Sequence, residues 1–171
     1  GFDAYVAALP KHERHELRRK MRNLALAGDV RYESHTGAAA GDHVDRLLHM
    51  MRASRHDKDE FLTPSMEAFF RDLARTFGEL GLARLGTLWL DGVEVAALMS
   101  FENASTVYLY NGGYEPEHAK LAVGLVSKAY AIQDAAERGK STFDFLRGDE
   151  EYKRRLGGVS REVLTLRLRS R

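Results

Sequence analysis

The stretch Leu88-Trp89-Leu90-Asp91-Gly92-Val93-Glu94-Val95-Ala96-Ala97 decides how this chain builds its sheet. Two apolar runs, Ala83 to Leu90 and Val93 to Phe101, meet at Asp91-Gly92. A two-residue Asp-Gly connection suits a hairpin turn with positive φ at both positions, so the stretch predicts a tight β-hairpin. Glu102-Asn103-Ala104 makes the next turn. Thr106 to Tyr110 then reads as a third strand, with Val107 and Leu109 alternating against Thr106, Tyr108 and Tyr110. The middle of the chain is therefore expected to be an antiparallel three-strand meander.

Toward the N-terminus the period changes to that of helices. Phe2 to Leu9 is a short amphipathic segment, and Pro10 suits the first turn of a second helix, because proline lacks only an N–H that has no partner there. Leu17, Met21 and Leu24 recur at helical spacing until Gly28-Asp29, and Val30 to Ser34 reads as a short strand. Asp42 can cap a helix whose apolar face is Val44, Leu47, Leu48 and Met51. Thr63-Pro64 starts another, with a buried stripe of Phe69, Phe70, Leu73, Phe77 and Leu80.

Toward the C-terminus, Leu121, Leu125, Ala129, Ile132 and Ala136 mark a long helix that Gly139 ends. Ser141 to Phe145 reads as a strand, Glu150 to Leu156 as one or two helical turns, and Glu162 to Arg169 as a last strand with Leu164, Leu166 and Leu168 on one face. A strand–helix–strand crossover beside a meander gives an α/β (α+β) mixed sheet with helices on both faces.

The 171 residues fit one domain with a sizeable core, and 44% apolar with 30% charged residues is a globular composition. The absence of cysteine excludes disulfides, thiol catalysis and thiolate metal sites. No apolar run approaches the roughly 18 residues of a membrane span. A net charge of +1 argues against a general nucleic-acid binder, and no DNA partner is expected. The charge is uneven, however. Lys11, Arg14, Arg18, Arg19, Lys20 and Arg22 crowd one early segment, and Lys153, Arg154, Arg155, Arg161, Arg167, Arg169 and Arg171 a late one. Such ends can flank an anionic ligand or simply form a solvated face. The seven histidines show no metal-ligand spacing; His12 and His15 lie three apart, but on a basic helix.

Two segments can carry chemistry. Asp144-Phe145-Leu146-Arg147-Gly148-Asp149-Glu150-Glu151-Tyr152-Lys153 follows a short strand, and carboxyl ends of strands in α/β sheets favour sites. Its Arg147 and Lys153 can hold an anion, Tyr152 can donate a proton, and Asp144 can orient Arg147 or accept one. The same residue types also describe a surface ion-pair cluster with Asp149 capping a helix. The second segment is a loop from Asn111 into the long helix, where His118 can act as a base and free N–H groups offer an anion site near Gly124.

These residues resemble the BioF2-like acetyltransferase domain family, within the GNAT superfamily and related to the Fem-type aminoacyl transferases. Three blocks carry the likeness: Arg14 to Arg22; Leu88 to Ala97 followed by Tyr108 to Tyr114; and Phe143 to Lys153, the most specific. The resemblance implies a GNAT fold and transfer of an acyl group from a thioester donor, acetyl-CoA or another acyl-CoA, to an amine or hydroxyl acceptor. It implies a donor site at Tyr110, Asn111 and the segment Leu121-Ala122-Val123-Gly124-Leu125. It further implies catalytic roles for Asp144, Tyr152 and His118, with Glu115 and Glu117 as further candidate bases, and acceptor or phosphate contacts at Arg18, Arg22, Arg147 and Lys153. No metal is expected. The family implies a cytoplasmic protein, an envelope or exopolysaccharide context, and a C-terminal lobe paired with a sister lobe. Two alternatives are a Fem-like transferase that uses aminoacyl-tRNA, with Arg18, Arg19 and Arg22 as its track, and a non-catalytic binding lobe.

Overall fold

The computed structural model describes residues 1–167. Five strands form one sheet in the order β1-β2-β3-β4-β5: β1 Val30–His35, β2 Ala83–Leu90, β3 Val93–Glu102, β4 Thr106–Tyr114 and β5 Thr142–Asp144. The first four are antiparallel neighbours, and β5 lies parallel to β4. The helices are α1 Phe2–Ala8, α2 Lys11–Ala27, α3 Ala38–Asp42, α4 Val44–Ser54, α5 His56–Phe61, α6 Pro64–Glu79, α7 Val123–Glu137 and α8 Glu151–Arg155, with a 3₁₀ helix at Pro116–Leu121.

The hairpin forms as expected. Asp91 and Gly92 both have positive φ, at 50° and 77°. The Asp91 carboxylate also accepts the Asp29 N–H at 2.8 Å, which ties the start of β1 to the turn. Thr63 caps α6 through its hydroxyl, which accepts the Met66 N–H at 3.3 Å. Gly139, at φ 78°, closes the end of α7.

Helices cover both faces of the sheet. On one face α4 and α6 enclose Leu47, Met51, Phe70, Leu85 and Met99. On the other, α7 packs its Val123 and Val126 over Leu88, Val95 and Ala96, with Leu24 of α2 beside them. Close approach of α4 depends on Gly113, where a Cβ would collide with the backbone at Met50–Met51.

Three expectations are corrected. The buried line of α6 is Phe70, Ala74 and Gly78, while Phe69 and Leu80 are 47% and 65% exposed. The small residues win because α3 presses on this helix: a Cβ at Gly78 would meet the Gly37 carbonyl. Asn111 to Tyr114 is not a loop but the second half of β4, made strand-like by its pairing with Ala96 to Met99. The final strand is absent from Glu162 to Arg167, and Leu164 and Leu166 are 85% and 83% exposed. Alternation only asks for a buried face; a strand also needs a neighbouring ladder, and none of the five strands pairs with this segment. Leu168 and Arg169 lie outside the described residues.

Candidate active site

Strands β4 and β5 separate. Their parallel ladder covers only Thr106–Tyr108 against Thr142–Asp144. Just beyond, β4 carries an irregularity: Ser100 pairs with Leu109 and Met99 with Asn111, so Tyr110 is an extra residue. A bulge of this kind bends the strand and increases its local twist. The edge of β4 from Leu109 to Tyr114 is thus left without a strand partner on the β5 side.

Side chains from three helices and β4 converge on this opening. Asn111 turns its side-chain carbonyl back onto the strand, where Oδ1 accepts the Gly112 N–H at 2.9 Å. The same oxygen accepts Lys58 Nζ from α5 at 2.8 Å. Lys58 also donates to the Gly112 carbonyl. Both backbone groups of Gly112 therefore face the gap and not β3. From α7, Lys128 donates to the Gly124 carbonyl at 2.5 Å. Its ammonium sits 4.7 Å from the centroid of the Tyr152 ring, contributed by α8. Phe145 packs edge-on against that ring at 5.9 Å.

The electrostatics follow from this crowding. Burial pushes the Lys58 ammonium down to about 8, with Arg55 adding to the effect and Asp57 and Glu150 opposing it. Burial also pushes Lys128 down to about 8, with Lys58 adding and Glu150 opposing. Among the described residues neither lysine has a carboxylate within ion-pair distance; Arg55 pairs with Asp57, and Glu150 with Lys153. Burial, reinforced by Glu150, pushes the Tyr152 phenol up to about 12. Tyr152 therefore carries its proton at neutral pH, as a proton donor to a leaving group must.

The other sequence-predicted residues fall in several places. Lys153 is 8% exposed, and its ammonium donates to the carbonyls of Leu146, Arg147 and Gly148 at 3.2, 2.7 and 3.2 Å. It also pairs with Glu150 at 2.8 Å. Its bonding capacity is committed to holding the loop after β5. Asp144 is exposed and accepts the Leu146 N–H at 2.7 Å, so its carboxylate shapes the same loop. Arg147 is exposed in that loop, and the cap position of α8 is Glu150 rather than Asp149. Arg18 and Arg22 are exposed on α2. His118 lies half-buried in the 3₁₀ helix, Glu117 is exposed beside it, and Glu115 pairs with Arg46 at 2.7 Å.

The expected donor segment divides. The Tyr110 ring packs between Phe70 and Phe101, at 5.6 and 5.3 Å, and leaves its backbone at the bulge. Leu121 ends the 3₁₀ helix, and Ala122 takes a left-handed conformation at φ 56°. The long helix then starts at Val123, whose N–H and that of Gly124 precede the first intrahelical bonds. Val123 is buried, while Leu125 packs against the α1–α2 side. Gly124 serves packing first: a Cβ there would lie 2.8 Å from the Tyr114 ring.

Sequence reading missed Lys58 and Lys128. Lys58 sits in the charge run Arg55 to Glu60, which has no apolar periodicity to mark it as a helix. Lys128 had one signal, a single charge within the otherwise uncharged first part of the helix, Val123 to Ile132.

A gap between β4 and a parallel β5, a bulge at its mouth, and a helix start beyond it define the architecture. The family described as acetyltransferase (GNAT) domain matches residues 11–154. The chain belongs to the GNAT acetyltransferase domain family. No curated protein matches the sequence directly. Solved structures share the GNAT fold at low identity. The structure described as FemX superposes with a TM-score of 0.66 at 14% identity, covering 88% of this chain and 51% of that one. An aminoglycoside acetyltransferase, HMB0005, from an uncultured soil metagenomic sample has a TM-score of 0.56 at 16% identity, covering 84% of this chain and 99% of that one. AAC(6′)-Iy, solved in complex with the bisubstrate analog CoA-S-monomethyl-acetylneamine, has a TM-score of 0.55 at 11% identity, covering 84% and 100%. Among the described residues of this GNAT domain, no helix is long and apolar enough to cross a membrane, and no three histidine or carboxylate groups gather to hold a metal.

Proposed function

We propose that this GNAT domain moves an acyl group from an acyl-CoA thioester to an amine or hydroxyl acceptor in the gap between β4 and β5. The observation that carries the reading is the pairing of an unladdered β4 edge with a protonated phenol, Tyr152, across the opening. The edge supplies backbone N–H groups for the acyl oxygen, a type of donor worth roughly 3 kcal/mol in the transition state. Tyr152 supplies the proton that the departing thiolate takes. The N–H of Gly124, ahead of the first intrahelical bonds of a 15-residue helix, supports a site for the donor's diphosphate at this helix start.

The three sequence blocks and the FemX superposition support a place in the BioF2-like branch, with a sister lobe in the full-length protein and a role in cytoplasmic supply of envelope or exopolysaccharide material. The aminoglycoside acetyltransferases among the structural relatives make amino sugars the first acceptors to try.

The test is thiol release from acetyl-CoA in the presence of a panel of amino sugars and amino acids, with mass spectrometry of the product. Acceptor-dependent release that Tyr152→Phe abolishes is expected. A purified protein that neither binds acetyl-CoA nor releases thiol with any acceptor overturns the reading.

A further inference from the structure

The Asn111 side chain occupies an unusual position for an amide. Its two neighbours in the gap, Lys58 Nζ at 2.8 Å and the Gly112 N–H at 2.9 Å, can only donate hydrogen bonds. The atom between them must therefore be the carbonyl oxygen, which removes the usual ambiguity of amide orientation. A neutral sp² oxygen held by one backbone N–H and one ammonium is what the carbonyl of an acyl group requires as it becomes an oxyanion.

The donors are fixed independently of Asn111. Lys58 is anchored a second time by the Gly112 carbonyl. Gly112 is held in the β3–β4 register opposite Leu98, and the neighbouring Gly113 is packed against the α4 backbone. The two donors thus form a rigid cradle on the open edge of β4.

We propose that Lys58 Nζ and the Gly112 N–H form the oxyanion site of this domain, and that Asn111 Oδ1 is an internal ligand that fills it until the acyl carbonyl displaces it. The inference rests on the acyl-transfer reading above and adds Lys58 as a catalytic residue. In the reaction the acceptor amine attacks the thioester carbon with its lone pair. The C=O π electrons move to oxygen, which Lys58 and Gly112 hold. On collapse the C–S bond breaks, its electron pair leaves on sulfur, and the sulfur takes the Tyr152 proton. The surplus proton on nitrogen then restores the phenol. The net products are an amide and a thiol.

Lys58 works here as a cation, so its contribution is present below its pKa of about 8 and fades as pH rises through it. Burial lowers that value most, Arg55 from its own segment adds to it, Asp57 and Glu150 ahead of α8 oppose it, and Lys128 on α7 feels Lys58 in turn. A lysine acting as general base would give the opposite slope.

The experiment uses the whole domain and two probes, acetyl-CoA and free CoA, which differ by the acetyl group that carries the carbonyl. Isothermal titration is expected to show that Asn111→Ala tightens acetyl-CoA about fivefold, as one competing hydrogen bond is removed, and leaves CoA unmoved. Asn111→Asp, a charged internal ligand of the same size, weakens acetyl-CoA. Lys58→Met abolishes the acetyl-over-CoA preference and lowers turnover about 10²-fold, and Lys58→Arg restores part of it with the alkaline limb moved above pH 8. With carbonyl-labelled [¹³C]acetyl-CoA, the bound carbonyl resonance moves downfield in the wild type and less in Lys58→Met. Binding of both probes with an unchanged ratio in the Lys58 and Asn111 variants overturns this inference alone. Failure of the wild type to bind either probe overturns the donor reading and this inference together.

Discussion

The Lys128 ammonium rests over the Tyr152 ring, 4.7 Å from its centroid, although the two residues come from different helices on either side of β5. A cation held against an aromatic face is favoured most where water is excluded. Lys128 thereby fixes the ring whose hydroxyl is read above as the proton donor.

Tyr152→Phe keeps the ring beneath Lys128 and removes only the O–H. Turnover is expected to fall about 10²- to 10⁴-fold, the usual contribution of a positioned acid. Donor affinity should stay within about twofold, since uniform binding is untouched. Initial rates at saturating acceptor, paired with titration calorimetry, separate the two. Unchanged turnover rejects the acid role.

The two depressed lysines make stability depend on pH. Burial pushes Lys58 and Lys128 down to about 8 in the folded protein, from the ordinary lysine value of 10.5. Between these values the unfolded chain binds more protons, so stability rises from pH 8 toward 10. Each shift corresponds to ~3 kcal/mol at most, before solvent screening. Tyr5 and Tyr152, both held up to about 12, reverse the trend above pH 10, where only the unfolded phenols ionise. Urea unfolding across this range should show a maximum, and Lys128→Met should be more stable near neutrality with a shallower rise. A flat profile contradicts the burial of both ammonium groups.

Gly113→Ala places a methyl group against the backbone of Met50 and Met51. Backbone cannot rotate away as a side chain does, so α4 must lift from β4, at a cost of about 1–3 kcal/mol or more. Denaturant titration measures the loss. An equally stable variant would mean that α4 is not seated against β4 at this point.

Lys153→Met leaves the carbonyls of Leu146, Arg147 and Gly148 without their shared donor and Glu150 without its ion-pair partner. A hydrogen bond to a charged group is worth about 1.5–3 kcal/mol, which sets the expected destabilisation. Amide exchange in residues 146–148 should quicken more than in the sheet. Protection unchanged in that loop would show that the ammonium does not hold it.

Local signals in the chain were reliable wherever one segment contained both halves of the interaction. Asp91-Gly92 specified its turn because the φ requirement lies in those two residues. Thr63-Pro64 specified a helix start because cap and helix are adjacent. The α6 stripe was less legible, since Phe69 and Leu80 meet the apolar pattern while Ala74 and Gly78 meet the space that α3 leaves. The candidate site was the least legible. Tyr152 is legible as a phenol in the segment after β5, but Lys58 carries no periodic signal at all, and Lys153 turns inward to loop carbonyls that sequence cannot locate.

By itself, the order of residues determined the hairpin turn of the meander, the long helix after it and the phenol after β5, since each is set by signals a few residues apart. Only the tertiary structure decided that β5 stops pairing at Tyr108, that Tyr110 bulges out of register, and that Lys58, Asn111, Lys128 and Tyr152 meet in the opening. The physical reason is that a gap between strands is a property of how two ladders diverge, and residues from α5, β4, α7 and α8 become neighbours only after the helices have chosen their faces of the sheet.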